Sequence, residues 1–133
     1  MSALTPELQV LAFTLILAIV QVMLAAFVRT SELGAKWNAG PRDGEAPTPG
    51  PLAGRLMRAQ ANLYETLPLF IAAVLIAHVA DRNGALTMWG THLYLVARIA
   101  YVPLYAFGVT GVRSLVFLVS LAGLGMVIAA LFF

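Results

Sequence analysis

The sequence predicts an all-α integral membrane protein, a four-helix bundle of up-down topology, on three observations. Of its 133 residues, 61% are hydrophobic and 11% charged, whereas a soluble domain averages about 45–50% apolar and about 25% charged. The apolar residues gather into four runs, each near the roughly 20 residues that cross a hydrocarbon core about 30 Å thick. Short polar or glycine-bearing breaks separate three of the runs, and the basic residues crowd onto one side.

Each run has its own boundary chemistry. The first helix is expected over residues 6–28, with Thr5 as N-cap and Pro6 at the first helical position. The preceding MSALTPELQV lacks a basic n-region and carries Glu7, so the run reads as a retained helix and not a signal peptide. Residues 30–52 form a cytoplasmic loop whose NAGPRDGEAPTPGP portion is too rich in Pro and Gly for a helix. The second helix covers 53–80 and the third 86–107, split by Asp81-Arg82-Asn83-Gly84 with Gly as helix stop. Gly108-Val109-Thr110-Gly111 separates the third from the last, 112–133. Pro68 and Pro103 fall inside helices, where neighbouring helices can tolerate a kink. Gln21 reads as interhelical glue, and Ser120, Gly123 and Gly125 as close packing of the last helix. The length suits one domain over 1–133.

Charge and composition also exclude. With a net charge of +2 and no basic cluster interleaved with aromatics, nucleic-acid binding has nothing to rest on. Without Cys there is no disulfide, no thiolate metal site and no thiol nucleophile; His78 and His92 lack spacing partners, so no metal site is expected. Arg29, Lys36, Arg42, Arg55 and Arg58 flank the first loop and Arg113 the third, against Arg82 alone on the other side. The positive-inside rule then places both loops in the cytoplasm and both termini outside.

Two polar faces interrupt the apolar runs. Arg58, Asn62 and Glu65 share one face of the second helix at i, i+4 and i+7. Tyr94, Arg98, Tyr101 and Tyr105 repeat that spacing in the third. Counted from the cytoplasmic ends of antiparallel helices, Arg58 is level with Tyr105, Asn62 with Tyr101, and Glu65 with Arg98. A lone charge at mid-bilayer costs at least about 2.5–3.5 kcal/mol, so an intramembrane Glu65–Arg98 ion pair is expected, with Asn62 and the tyrosine hydroxyls satisfying the rest.

The run RAQANLYETLPLF at 58–70, followed by ARIAYVPLY at 97–105, resembles the MAPEG family, the membrane-associated proteins in eicosanoid and glutathione metabolism. The similarity extends over nearly the whole chain and is to a short, bacterial-type member, which implies a bacterial inner membrane. It also implies a homotrimer with glutathione as cosubstrate, bound between subunits. By that resemblance Arg58, Gln60, Asn62 and Glu65, with Arg98, Tyr101 and Tyr105, contact glutathione. Arg113 stabilises the thiolate and is the catalytic residue. Thr66 departs from the eicosanoid branch, where a tyrosine follows the glutamate.

The implied function is a glutathione transferase or glutathione-dependent peroxidase acting on lipophilic electrophiles that enter from the membrane lipid. The alternative is a non-catalytic lipid-binding or scaffolding trimer. A proton-coupled exporter ranks third, because the first helix carries only Glu7 at its mouth. Glu65 cannot be fully committed both to Arg98 and to a ligand ammonium, and the residues alone leave that choice open.

Overall fold

The computed structural model describes residues 3–44 and 48–133; residues 45–47 of the expected loop, and the first two of the N-terminal stretch, lie outside the described residues. Five helices follow in order: α1 (Pro6–Leu33), α2 (Ala35–Ala39), α3 (Pro51–Val79), α4 (Ala85–Ala106) and α5 (Gly111–Ala130). No strand occurs among the described residues.

The helix starts follow local chemistry. Thr5 caps α1, its hydroxyl accepting the Leu8 N–H at 3.3 Å, with Pro6 in the first turn. α1 then runs past its apolar stretch to Leu33, where Gly34 stops it at φ 95°. Apolarity reports a span's length, whereas backbone hydrogen bonding continues until a residue breaks it. Within the expected loop, residues 35–39 make the short helix α2. At the start of α4 the Thr87 hydroxyl accepts the Gly84 N–H at 2.8 Å and donates to Glu7 Oε1 of α1 at 2.9 Å. That contact buries Glu7 and ties two helices together.

Three helices, α1, α3 and α5, are long and apolar enough to cross a membrane. The sequence reading expects a fourth span over 86–107, but α4 is not among the three. Trp89, His92, Tyr94, Arg98, Tyr101 and Tyr105 dilute its apolar content. Half of these six are turned inward: Tyr94, Arg98 and Tyr101 are buried. Large apolar side chains such as Phe13, Ile19, Met23, Phe27, Leu115 and Leu118 point outward instead, as a lipid-facing surface requires.

The core gathers Val10, Leu11 and Ala18 of α1, Leu63, Phe70 and Val74 of α3, Tyr94 of α4, and Leu124 and Val127 of α5. Since lipid is as apolar as leucine, helices in a membrane associate through close packing and hydrogen bonds rather than through apolar burial. Gly90 and Gly123 supply the packing. A Cβ built on Gly123 would fall 2.6 Å from the Gly90 oxygen, and one on Gly90 2.7 Å from the Gly123 oxygen, so the α4 and α5 backbones touch there. Gly125, expected to share this role, is exposed with nothing within 4 Å of a built Cβ; two residues on, the helix has turned it to the opposite face. Ser120 is buried, its hydroxyl donating to the Phe117 carbonyl at 2.6 Å. Tyr94 stacks on Phe70 with centroids 4.0 Å apart and shares a 2.8 Å hydrogen bond with Thr66.

Candidate functional site

The C-terminal half of α4 is built differently. Arg98 is 1% exposed, with Nη1 donating to Asn62 Oδ1 of α3 at 2.8 Å. Its guanidinium carbon lies 4.5 Å from the centroid of Tyr101. This corrects the expected Glu65–Arg98 ion pair: Arg98 bonds Asn62, Glu65 is exposed, and no ion pair joins the two. The reason is geometric. The guanidinium folds over Tyr101, one turn further along α4, and Tyr101 is level with Asn62. Cation–π attraction of about 0.5–2 kcal/mol adds to the amide bond in holding it there. The Nε and Nη2 atoms of Arg98 are buried without a hydrogen-bond partner.

A cavity of about 410 Å³ opens beside this cluster, lined by Asn62, Tyr101, Tyr105, Arg113, Phe117 and neighbouring α5 residues. Arg113, in the first turn of α5, lies with its guanidinium carbon 4.5 Å from the centroid of Tyr105. Arg58 approaches the same ring at 5.9 Å, the level that the helix count assigns to it. Tyr101 and Tyr105 meet edge to face with centroids 5.5 Å apart. Phe117 completes the aromatic wall, 6.3 Å from Tyr101.

Three guanidiniums thus converge on two tyrosine rings, and none closes an ion pair with a carboxylate among the described residues. Like charges gathered this way repel one another, and an anionic ligand would relieve that cost. The donors suit it: arginine holds a carboxylate through two parallel bonds. Chemically the cavity can bind a small anion beside an apolar, aromatic surface.

Of the residues read from the sequence, Asn62, Tyr101, Tyr105 and Arg113 line the cavity, while Arg58 and Arg98 reach its tyrosines. Gln60, half-buried, and Glu65, exposed, lie outside the lining. Phe117 was missed by the sequence reading. Its signal is the i, i+4 spacing from Arg113, which puts both on one face of α5. Gln21 is buried in α1, but its Oε1 has no partner, so as glue it leaves an acceptor unsatisfied.

The MAPEG family model matches residues 10–133. The chain belongs to the MAPEG family. Membership, together with three long apolar helices, makes it an integral membrane protein. Among curated proteins this MAPEG chain is 37% identical over 84 residues to leukotriene C4 synthase from Bos taurus, covering 54% of this chain and 53% of that protein. It is 35% identical over 86 residues to leukotriene C4 synthase from Mus musculus, covering 56% and 54%. The matched stretch spans about half the length of these relatives.

Proposed function

We propose that this MAPEG protein is a membrane-bound glutathione transferase or glutathione-dependent peroxidase acting on lipophilic electrophiles. The observation that carries the reading is the cavity in which Arg113 stands over Tyr105, with Asn62 and Tyr101 lining the same space. Glutathione offers two carboxylates, an ammonium and a thiol. Arg58 and Arg98 suit the carboxylates, and the unpartnered Nε and Nη2 of Arg98 are donors in want of an acceptor. Glu65, unpaired with Arg98, is available to the ammonium. Gln60 and Asn62 supply amides, and the Tyr101 and Tyr105 hydroxyls orient the tripeptide.

Arg113 is the proposed catalytic residue. An unperturbed thiol titrates at about 8.5; a guanidinium beside the sulfur favours the thiolate. The thiolate then attacks an electrophilic carbon, forming the C–S bond as the leaving group departs with its electron pair. With a hydroperoxide, two glutathiones become the disulfide while the peroxide is reduced to an alcohol and water. The nucleophile comes from the cosubstrate, as a chain without cysteine requires.

The same reading takes α4 as a fourth span, its inward polar face explaining the weaker apolar signal. Four spans then make an up-down bundle over 1–133, with both termini outside a bacterial inner membrane. In a homotrimer, the exposed edge carrying Arg58 and Glu65 would face a neighbouring subunit. A non-catalytic lipid-binding trimer is the second reading. It is favoured by one observation, an apolar groove of about 710 Å³ along α3 lined by Tyr64, Leu67, Pro68, Ile71, Ala72 and Leu75.

The test is purified protein with glutathione and a reactive aryl halide or lipid hydroperoxide, alongside calorimetry. Thiol turnover and glutathione binding support the enzyme. Bound lipid with intact trimers but no glutathione affinity supports the second reading instead.

A further inference from the structure

A second set of contacts lies where α3 begins and α4 ends, outside the cavity. The Glu32 carboxylate, near the end of α1, accepts the Gly50 N–H at 2.6 Å and the Ala53 N–H at 3.4 Å. Gly50 is the N-cap of α3 and Ala53 lies in its first turn, where N–H groups lack intrahelical partners and favour an anion. Glu32 therefore caps α3 from another helix. The approach is close: a Cβ on Gly50 would fall 2.7 Å from Glu32 Oε2.

Two residues beyond Ala53, Arg55 crosses to the end of α4, where its Nη1 donates to the Ala106 carbonyl at 3.4 Å. The backbone serves the other terminal carbonyls there: Phe107 N–H donates to Pro103, Val109 N–H to Leu104 and Gly108 N–H to Tyr105. Ala106 is left over, and Arg55 takes it, a cation at the negative end of a helix. The guanidinium also covers Gly108, which sits at φ 72°. A Cβ there would lie 3.1 Å from Arg55 Cζ, 3.3 Å from Nη2 and 3.4 Å from Nε. A side chain at this position would be strained by the positive φ and would press on the Arg55 guanidinium. Residues 106–108 are the start of the turn between Tyr105 and Arg113, the pair whose spacing defines the cavity.

We infer that Arg55 is a positioning residue. By gripping the turn after α4 it sets where Arg113 stands relative to Tyr105, and Glu32 anchors the helix from which it acts. The inference rests on the proposed role of Arg113 toward the glutathione sulfur. It adds two residues, one acidic and one basic, that touch neither ligand nor reacting atoms.

The experiment uses the full chain in lipid nanodiscs. Hydrogen exchange is followed across residues 107–113, and the thiolate absorbance of bound glutathione is titrated against pH. Arg55→Ala should speed exchange in that turn by about tenfold, with other helices unchanged. The bound thiol should titrate at higher pH, and kcat should fall about tenfold while KM for glutathione stays within about twofold. Arg55→Lys, keeping one donor, should recover part of each effect, a rescue that loss of folding would not show. Unchanged exchange in the turn, or a titration identical to the parent's, overturns the positioning role. Arg113→Ala separates the two ideas. If the thiolate signal vanishes there but is untouched by Arg55→Ala, the inference fails and the proposed function stands. If the signal survives Arg113→Ala, the thiolate role itself fails, and the inference with it.

Discussion

The two halves of α4 are built to opposite specifications. In the N-terminal half, Gly90 lies against the α5 backbone, Tyr94 is stacked and hydrogen-bonded, and Thr87 holds Glu7. In the C-terminal half, Arg98 keeps two nitrogens without partners, and a cavity separates Tyr101 and Tyr105 from full contact with α5. Unsatisfied donors in a buried place cost stability, and at Arg98 that cost falls beside a cavity where an anion could offset it. One half is close-packed scaffold, the other the wall of a cavity, and a single turn of helix between Tyr94 and Arg98 divides them.

The sharpest way to test this contrast is at the wall. Arg113→Ala should lower turnover with glutathione and an aryl halide by about a hundredfold or more, as for a lost charge-stabilising donor, with a smaller change in glutathione affinity by calorimetry. Such a variant should melt near the parent temperature, since Arg113 is a wall residue and not scaffold. Next is Asn62→Ala, which removes the one hydrogen bond of a buried guanidinium. A hydrogen bond to a charged group is worth about 1.5–3 kcal/mol, and thermal unfolding in detergent should show a loss of that order. Bound glutathione should restore part of it if Arg98 finds an acceptor in the ligand.

The scaffold half should respond only through stability. Gly123→Ala forces a Cβ into the Gly90 oxygen and should cost about 1–3 kcal/mol as overpacking, while Gly125→Ala should stay within about 0.5 kcal/mol. Equal effects from the two glycines would mean that α4 and α5 do not meet where the structure puts them. A similarly small effect is expected from Tyr94→Phe. It keeps the ring on Phe70 and deletes the bond to Thr66, costing about 0.6 kcal/mol, the average for an interhelical hydrogen bond in a membrane. A large fall in turnover from that variant would erase the distinction between the halves.

Much of the architecture was legible in the residues. Thr5 and Pro6 announced the start of α1, and Gly108 the turn after α4. The Arg58 and Tyr105 faces could be matched in depth by counting, because helical rise is constant. The cavity's Asn62, Tyr101, Tyr105 and Arg113 were all named beforehand, partly from spacing and partly from family resemblance. What failed were choices between partners at similar distance. Arg98 could reach Glu65 or Asn62, and its fold over Tyr101 decided it. Gly123 and Gly125 are two residues apart, and only one faces α4. The polarity of α4 diluted its membrane signal because inward and outward residues contribute alike to an average along the chain.

Composition and periodicity, taken alone, settled that this chain is helical, greasy, and striped with polar residues on two of its helices. Those properties are local, set by each residue's own chemistry and its place in a 3.6-residue repeat. Which nitrogen meets which oxygen, and whether Glu32 caps a helix eighteen residues away, depended on how the helices lean and rotate against one another. That is a property of the assembled backbone, reached only when small residues let two helices touch and long side chains then choose among the acceptors left in range.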